Sequence, residues 1–103
     1  MLKKFKTYQL AMKAYKKGQK LKLSGPIKDQ FDRASLSIVL NLAEGSGKET
    51  YKDRLRFYRI AFGPIREVQA LTEIIGNSNL QSDYDVIGAC CWKLCQNPRT
   101  LTP

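Results

Sequence analysis

Ile27-Lys28-Asp29-Gln30-Phe31-Asp32-Arg33-Ala34-Ser35-Leu36-Ser37-Ile38-Val39-Leu40-Asn41-Leu42-Ala43-Glu44 is the stretch that decides the fold. At about 100° per residue, Ile27, Phe31, Ala34, Ile38 and Leu42 fall on one helical stripe. Leu36, Val39, Leu40 and Ala43 fall roughly opposite. A helix that is apolar on two sides needs two partners, so this one is central to a bundle or touches another subunit. Between the stripes runs a polar line of Gln30, Arg33, Ser37, Asn41 and Glu44. Such a line either borders a subunit interface or pore, or fixes helix register through hydrogen bonds to neighbouring helices. The structural role is the preferred expectation. Gly45-Ser46-Gly47 closes the segment.

Working outward, the next segment runs from about Tyr51 to Ile75, with Thr50 as N-cap. Its apolar face holds Tyr51, Leu55, Tyr58, Ala61, Phe62, Ile65, Val68 and Ile75; Lys52, Arg56, Arg59, Arg66 and Glu67 oppose it. An interior proline removes a hydrogen bond and costs about 3 kcal/mol. Gly63-Pro64 therefore predicts a kink or two helices end to end, and Arg54, on the apolar side, needs a partner or an exit. The first segment, about Lys6 to Leu23, sets Tyr8, Leu10, Ala11, Ala14, Tyr15, Gly18 and Leu21 against Lys6, Lys13, Lys16, Lys17 and Lys20. Ser24-Gly25-Pro26 ends it. A short fourth segment, about Asp83 to Gln96, is predicted with Ser82 as its cap. Its inner stripe is Tyr84, Ile87, Cys91, Leu94 and Cys95; Trp92 and Ala89 project elsewhere, a candidate subunit contact. Hardly any window alternates with period two. Four amphipathic helices on short turns pack as an all-α, antiparallel up-and-down four-helix bundle, here over residues 1–97, with 98–103 a flexible tail.

Charge is distributed unevenly. The net charge is +9, from 18 Lys and Arg against 9 Asp and Glu. Residues 1–28 hold nine lysines and no acid, while the remaining nine bases and nine acids cancel. That asymmetry predicts a polyanionic partner. The lysine stripe of Lys13, Lys16, Lys17 and Lys20, with Lys52, Arg56, Arg59 and Arg66, makes the candidate nucleic-acid-binding set. Tyr8, Tyr15, Tyr51 and Tyr58 are read as core residues from their phasing rather than as base-stacking groups. No stretch reaches the roughly eighteen apolar residues of a membrane span, and lysines interrupt the only place for a signal-peptide core. A cytoplasmic protein without a membrane partner is expected.

Catalysis finds little support. There is no histidine to activate Cys91 or Cys95, and an odd number of cysteines, three, in an intracellular-looking chain argues against a disulfide framework. A zinc site would need a fourth ligand from a carboxylate or another subunit; buried helix thiols are the preferred expectation, and no metal or cofactor is expected. Gly45-Ser46-Gly47-Lys48-Glu49-Thr50 is not a phosphate-binding loop: Leu42 stands where the first glycine belongs, and no strand precedes it.

Asp29-Gln30-Phe31-Asp32-Arg33-Ala34-Ser35-Leu36-Ser37-Ile38-Val39-Leu40-Asn41-Leu42-Ala43-Glu44-Gly45-Ser46-Gly47 resembles the small four-helix-bundle proteins encoded in intervening sequences of bacterial 23S rRNA genes. Lys52-Asp53, Arg56-Phe57, Ile60-Ala61, Gly63, Glu67 and Tyr8-Gln9-Leu10-Ala11 continue the likeness. The resemblance implies a left-handed bundle assembling into a ring, usually a homopentamer, with no catalytic residues. That family is also similar to accessory proteins of diversity-generating retroelements, basic pentamers that bind a reverse transcriptase and nucleic acid. The combined expectation is a non-enzymatic, homo-oligomeric bundle that binds structured RNA or a ribonucleoprotein. The alternative is a protein-only scaffold, for example an accessory subunit of a reverse transcriptase.

Overall fold

The turns decide where each helix begins and ends. In the computed structural model of the chain, which describes residues 2–99, a 3-10 turn at Leu2–Lys4 leads into α1 (Lys6–Gln19), α2 (Gly25–Ser46), α3 (Tyr51–Ile75) and α4 (Ser78–Gln96). Thr50 caps α3 as expected, its hydroxyl accepting from the Asp53 N–H at 3.1 Å. Pro26 sits in the first turn of α2, where a missing N–H costs nothing. α1 ends at Gln19, earlier than expected, although Leu21 and Leu23 still pack against the core. The start of α4 needs correcting by more than a turn. Gly76, at φ 80°, closes α3, and the next residue, Asn77, caps α4 by accepting from the Leu80 N–H at 3.0 Å. The link is therefore two residues long, Ser82 lies inside the helix, and Leu80 joins the core.

α1 packs between α2 and α4, and so does α3, which leaves α1 and α3 diagonal to one another. Sequential neighbours run antiparallel. Gln19 at the end of α1 donates to Asp32 near the start of α2, and Tyr58 near the start of α3 lies against Gly45 at the end of α2. Between α3 and α4, Gln69 donates to the Tyr84 carbonyl at 3.3 Å and the Cys91 thiol to the Tyr58 carbonyl at 3.4 Å. The result is an up-and-down bundle of 40 × 21 × 20 Å, without a strand among the described residues. None of the described helices is long and apolar enough to cross a membrane.

Phe31, Ile38, Leu42, Tyr58, Ile65 and Tyr84 are fully buried along the bundle axis. Phe31 and Tyr84 meet edge to face with centroids 6.4 Å apart, and Phe5 meets Tyr58 at 6.0 Å across the other diagonal. Two glycines make room for these rings. A Cβ on Gly18 would overlap the Phe31 ring, and one on Gly45 would stand 2.7 Å from the Tyr58 ring. Gly45 therefore does not close α2 but continues it; Gly47 is the cap.

The proline in α3 neither divides nor ends it: the helix is continuous from Tyr51 to Ile75. Ile60, whose carbonyl loses its donor at Pro64, is exposed to water. Gly63 has no Cβ to clash with the proline ring that follows. Arg54 gains the partner it needed. Its guanidinium donates to the Lys48 carbonyl at 2.9 Å and to the Pro98 and Arg99 carbonyls at 3.4 and 3.3 Å. Pro98 and Arg99, expected in a loose tail, are thus pinned to α3, and residues 100–103 of that tail lie outside the described residues. The second apolar side of α2 is only partly used: Val39 is buried, but Leu36 and Leu40 are exposed. Ile27 and Tyr51, placed on apolar faces from the sequence, are also exposed.

Two substitutions test this packing. Gly45→Ala should lower stability by about 1–3 kcal/mol through overpacking, whereas Pro64→Ala should raise it by up to about 3 kcal/mol by restoring a helical N–H; urea midpoints measure both. A pH titration tests the core. Burial pushes the Cys91 thiol and the Tyr58 phenol up to about 12 from ordinary values of 9.0 and 10.0, and raises the Tyr84 phenol as well. The unfolded chain releases these protons first, so stability should fall as pH rises from about 9 through 12. Urea midpoints at stepped pH, wild type against Tyr58→Phe, should show a shallower alkaline decline in the variant.

Candidate functional site

Lysines fill the outer side of α1 because its inner side is built from Ala11, Ala14 and Gly18, small residues that let the helix sit close to the core. Lys13, Lys16 and Lys20 are exposed, and among the described residues none has a carboxylate partner. Lys17 differs. It reaches across the α1–α4 seam and donates to Asp83 Oδ2 and Asn79 Oδ1, each at 2.7 Å. Beside that ion pair is a hollow of about 180 Å³, walled by Leu10, Lys13, Ala14, Val86 and Ile87. Lys28 is also engaged, with Asp32 at 2.8 Å, and its hydrogen bond holds the Asp32 carboxyl below its ordinary range. Of the four lysines picked out on α1, three are therefore free cations and one ties two helices together.

Lys52, Arg56, Arg59 and Arg66 are all exposed on the outer side of α3. Lys52, Arg56 and Arg59 border a shallow groove of about 400 Å³ whose apolar residues are Leu55 and Ile60; Asp53 also lines it. Arg56 lies over the Phe57 ring at 4.9 Å, with Lys48 over the same ring at 5.1 Å. Arg54 and Arg99 approach the Tyr51 ring at 5.8 and 5.1 Å. This corner of stacked cations and rings was not legible in the sequence beyond the misplaced Arg54, because Arg99 joins it through the chain's return along α4.

The two cationic lines do not merge. Since α1 and α3 are diagonal, they face opposite sides of a bundle 20–21 Å thick. They are also displaced along its axis. Lys17 meets the first turns of α4, at the end where α3 finishes, whereas Lys52 and Arg56 lie at the end where α3 begins. A single phosphate strand running straight along one face reaches one line only.

Among the described residues, the hydrogen bonds and ion pair of the α2 polar line are local. Asn41 donates to the Ser37 carbonyl and hydroxyl at 2.9 and 3.1 Å, and Glu44 pairs with Lys48 at 3.1 Å, all within α2 and its following turn. Gln30 and Arg33 are exposed. Beside them Leu36 and Leu40 form an apolar strip open to solvent. The cysteines are poor nucleophiles: burial raises both the Cys91 and Cys95 thiols. Among the described residues, no cluster of His, Cys, Asp or Glu is arranged to hold a metal ion.

A family model described as 23S rRNA-intervening sequence protein matches residues 3–90, which span α1, α2, α3 and most of α4. No curated protein and no solved structure matches the chain. The match takes in both cationic lines, the glycine notches and Arg54, though not the Pro98 and Arg99 carbonyls that Arg54 binds, and it agrees with the four-helix architecture. The chain belongs to the 23S rRNA-intervening sequence protein family.

Proposed function

We propose that the protein is a non-enzymatic bundle that binds structured RNA or a ribonucleoprotein and assembles with copies of itself, a pentamer being the expected size. The observation that carries this reading is the pair of outward cationic lines, Lys13, Lys16 and Lys20 on α1 and Lys52, Arg56, Arg59 and Arg66 on α3, without carboxylate partners among the described residues. Free cations at helical spacing displace counterions from a phosphate backbone, which makes binding steeply dependent on salt. Membership of a family described by its 23S rRNA connection supports the same class of partner. Assembly would repeat each line around an axis and raise avidity for a long polyanion. The apolar strip of Leu36 and Leu40 supports self-association, since none of the described helices covers it.

The same strip favours a second reading, a scaffold that docks on protein alone, such as a reverse transcriptase. Recovery of a partner that survives nuclease treatment and carries no RNA would support that reading.

Binding to a labelled structured RNA across a salt series tests the first reading. The triple change Lys13→Glu, Lys16→Glu, Lys20→Glu should weaken binding and flatten the salt slope by about 2–3 units, one contact each, with helicity by circular dichroism unchanged. Equal affinity for the variant and the wild type would remove α1 from the interface. Asp83→Asn should act the other way. It releases Lys17, so affinity at low salt should rise and the slope steepen by about one contact, while losing a half-exposed ion pair should change stability by under about 1 kcal/mol.

A further inference from the structure

The two cationic faces differ in what lies beside the charge. On α1, Tyr8 and Tyr15 are half-buried against the core, so among the described residues of that helix its free lysines have no exposed ring next to them. On the other side of the bundle stands Trp92, 58% exposed although it is the largest apolar side chain a protein can bury. Its position follows from its helical neighbours. Gly88 packs against Gln69 and Ile65 of α3, and Cys95 lies close enough to Arg59 for the guanidinium to act on its thiol. Trp92 comes four residues after Gly88 and three before Cys95, so it stands on the outer flank of the α3–α4 seam. Cys91, its neighbour, bonds the Tyr58 carbonyl, which sets the indole at the level of Tyr58 and Arg59.

Across the outer side of α3 from that flank runs the groove bordered by Lys52, Arg56 and Arg59, with Leu55 and Ile60 as its apolar part. The three cations are spaced four and three residues apart, a rise of about 10 Å. An open indole beside a short line of cations is the arrangement that holds an unpaired strand: the phosphates follow the charges and a base stacks on the ring. A duplex keeps its base faces stacked internally and offers such a surface only phosphates. Trp92 gains nothing from a duplex, whereas an unpaired base covers it.

We infer that the α3–α4 face is a site for unpaired RNA nucleotides, with Trp92 as the stacking surface and Lys52, Arg56 and Arg59 as the phosphate contacts. This rests on the RNA-binding reading and adds to it a division of labour. The α1 face takes backbone charge from any RNA, and the α3–α4 face selects loops, bulges or ends.

Trp92 is the only tryptophan in the chain, so its emission reports on the site directly. Acrylamide should quench it readily in the free, assembled protein; an indole already shielded there is covered by another copy, which overturns the inference. A short uridine-rich single strand should then quench the emission to saturation. A blunt RNA duplex with the same number of phosphates should bind, by filter retention, without doing so. Trp92→Ala should weaken single-strand binding roughly tenfold, in line with the cost of losing one stacked base, and leave duplex binding within about twofold. Trp92→Phe should restore most of the loss, and circular dichroism should show both variants folded. Single-strand binding with unchanged emission, or equal loss for single strand and duplex in Trp92→Ala, overturns the inference and leaves the RNA-binding reading standing. If neither RNA binds, the broader reading fails and takes this one with it.

Discussion

Two aromatic rings seated over two glycines set the dimensions of this bundle. Phe31 fills the notch at Gly18, where α2 meets α1, and Tyr58 fills the notch at Gly45, where α3 meets α2. Each ring lets a pair of helices approach closely while still filling the axis between them. The two notches lie at opposite ends of α2, so that helix is held against α1 near its start and against α3 near its end. Everything else is arranged on that spacing. The hydroxyls of Tyr58 and Tyr84 are carried into the interior without hydrogen-bond partners among the described residues, a cost accepted for the area of the rings.

A bundle this thin can bury one side of each helix, and the rest must face water. For α1, small residues inside leave lysines outside; for α3, a wider apolar side leaves a line of arginines and lysine. Since diagonal helices face away from each other, one basic chain becomes a particle with two separate cationic faces. Only Lys17 and Lys28 of the N-terminal lysines form ion pairs among the described residues. The remaining charge is therefore available to a partner rather than used in the fold.

The Arg54 pin shows how an apparent defect in a helical pattern becomes a tie between distant segments. A guanidinium on the inner flank of α3 satisfies carbonyls in the α2–α3 turn and at Pro98 and Arg99, beyond α4. The same contacts bring Arg99 over Tyr51 and assemble a corner of cations and rings from three parts of the chain. Its chemistry differs from that of the lysine face, where positive charge stands almost alone.

Periodicity was enough to find four helices, and with Thr50 as a cap it placed α3 at Tyr51–Ile75, because the apolar phasing along that segment is consistent. The cationic sides of α1 and α3 were legible for the same reason: a residue opposite an apolar stripe has nowhere to go but outward. Local chemistry misplaced the start of α4, since Ser82 and Asn77 are both good caps and only the left-handed turn at Gly76 chooses between them. What tertiary structure alone decided is which charges remain free and where they point. Lys17 looks like Lys13 and Lys16 in the sequence, yet Asp83 arrives from sixty-six residues away to bind it. Pairing of that kind depends on which helices become neighbours, and no helical period encodes it. The opposition of the two basic faces has the same origin: each helix carries its own stripe, but only the order of packing determines that the stripes look in opposite directions.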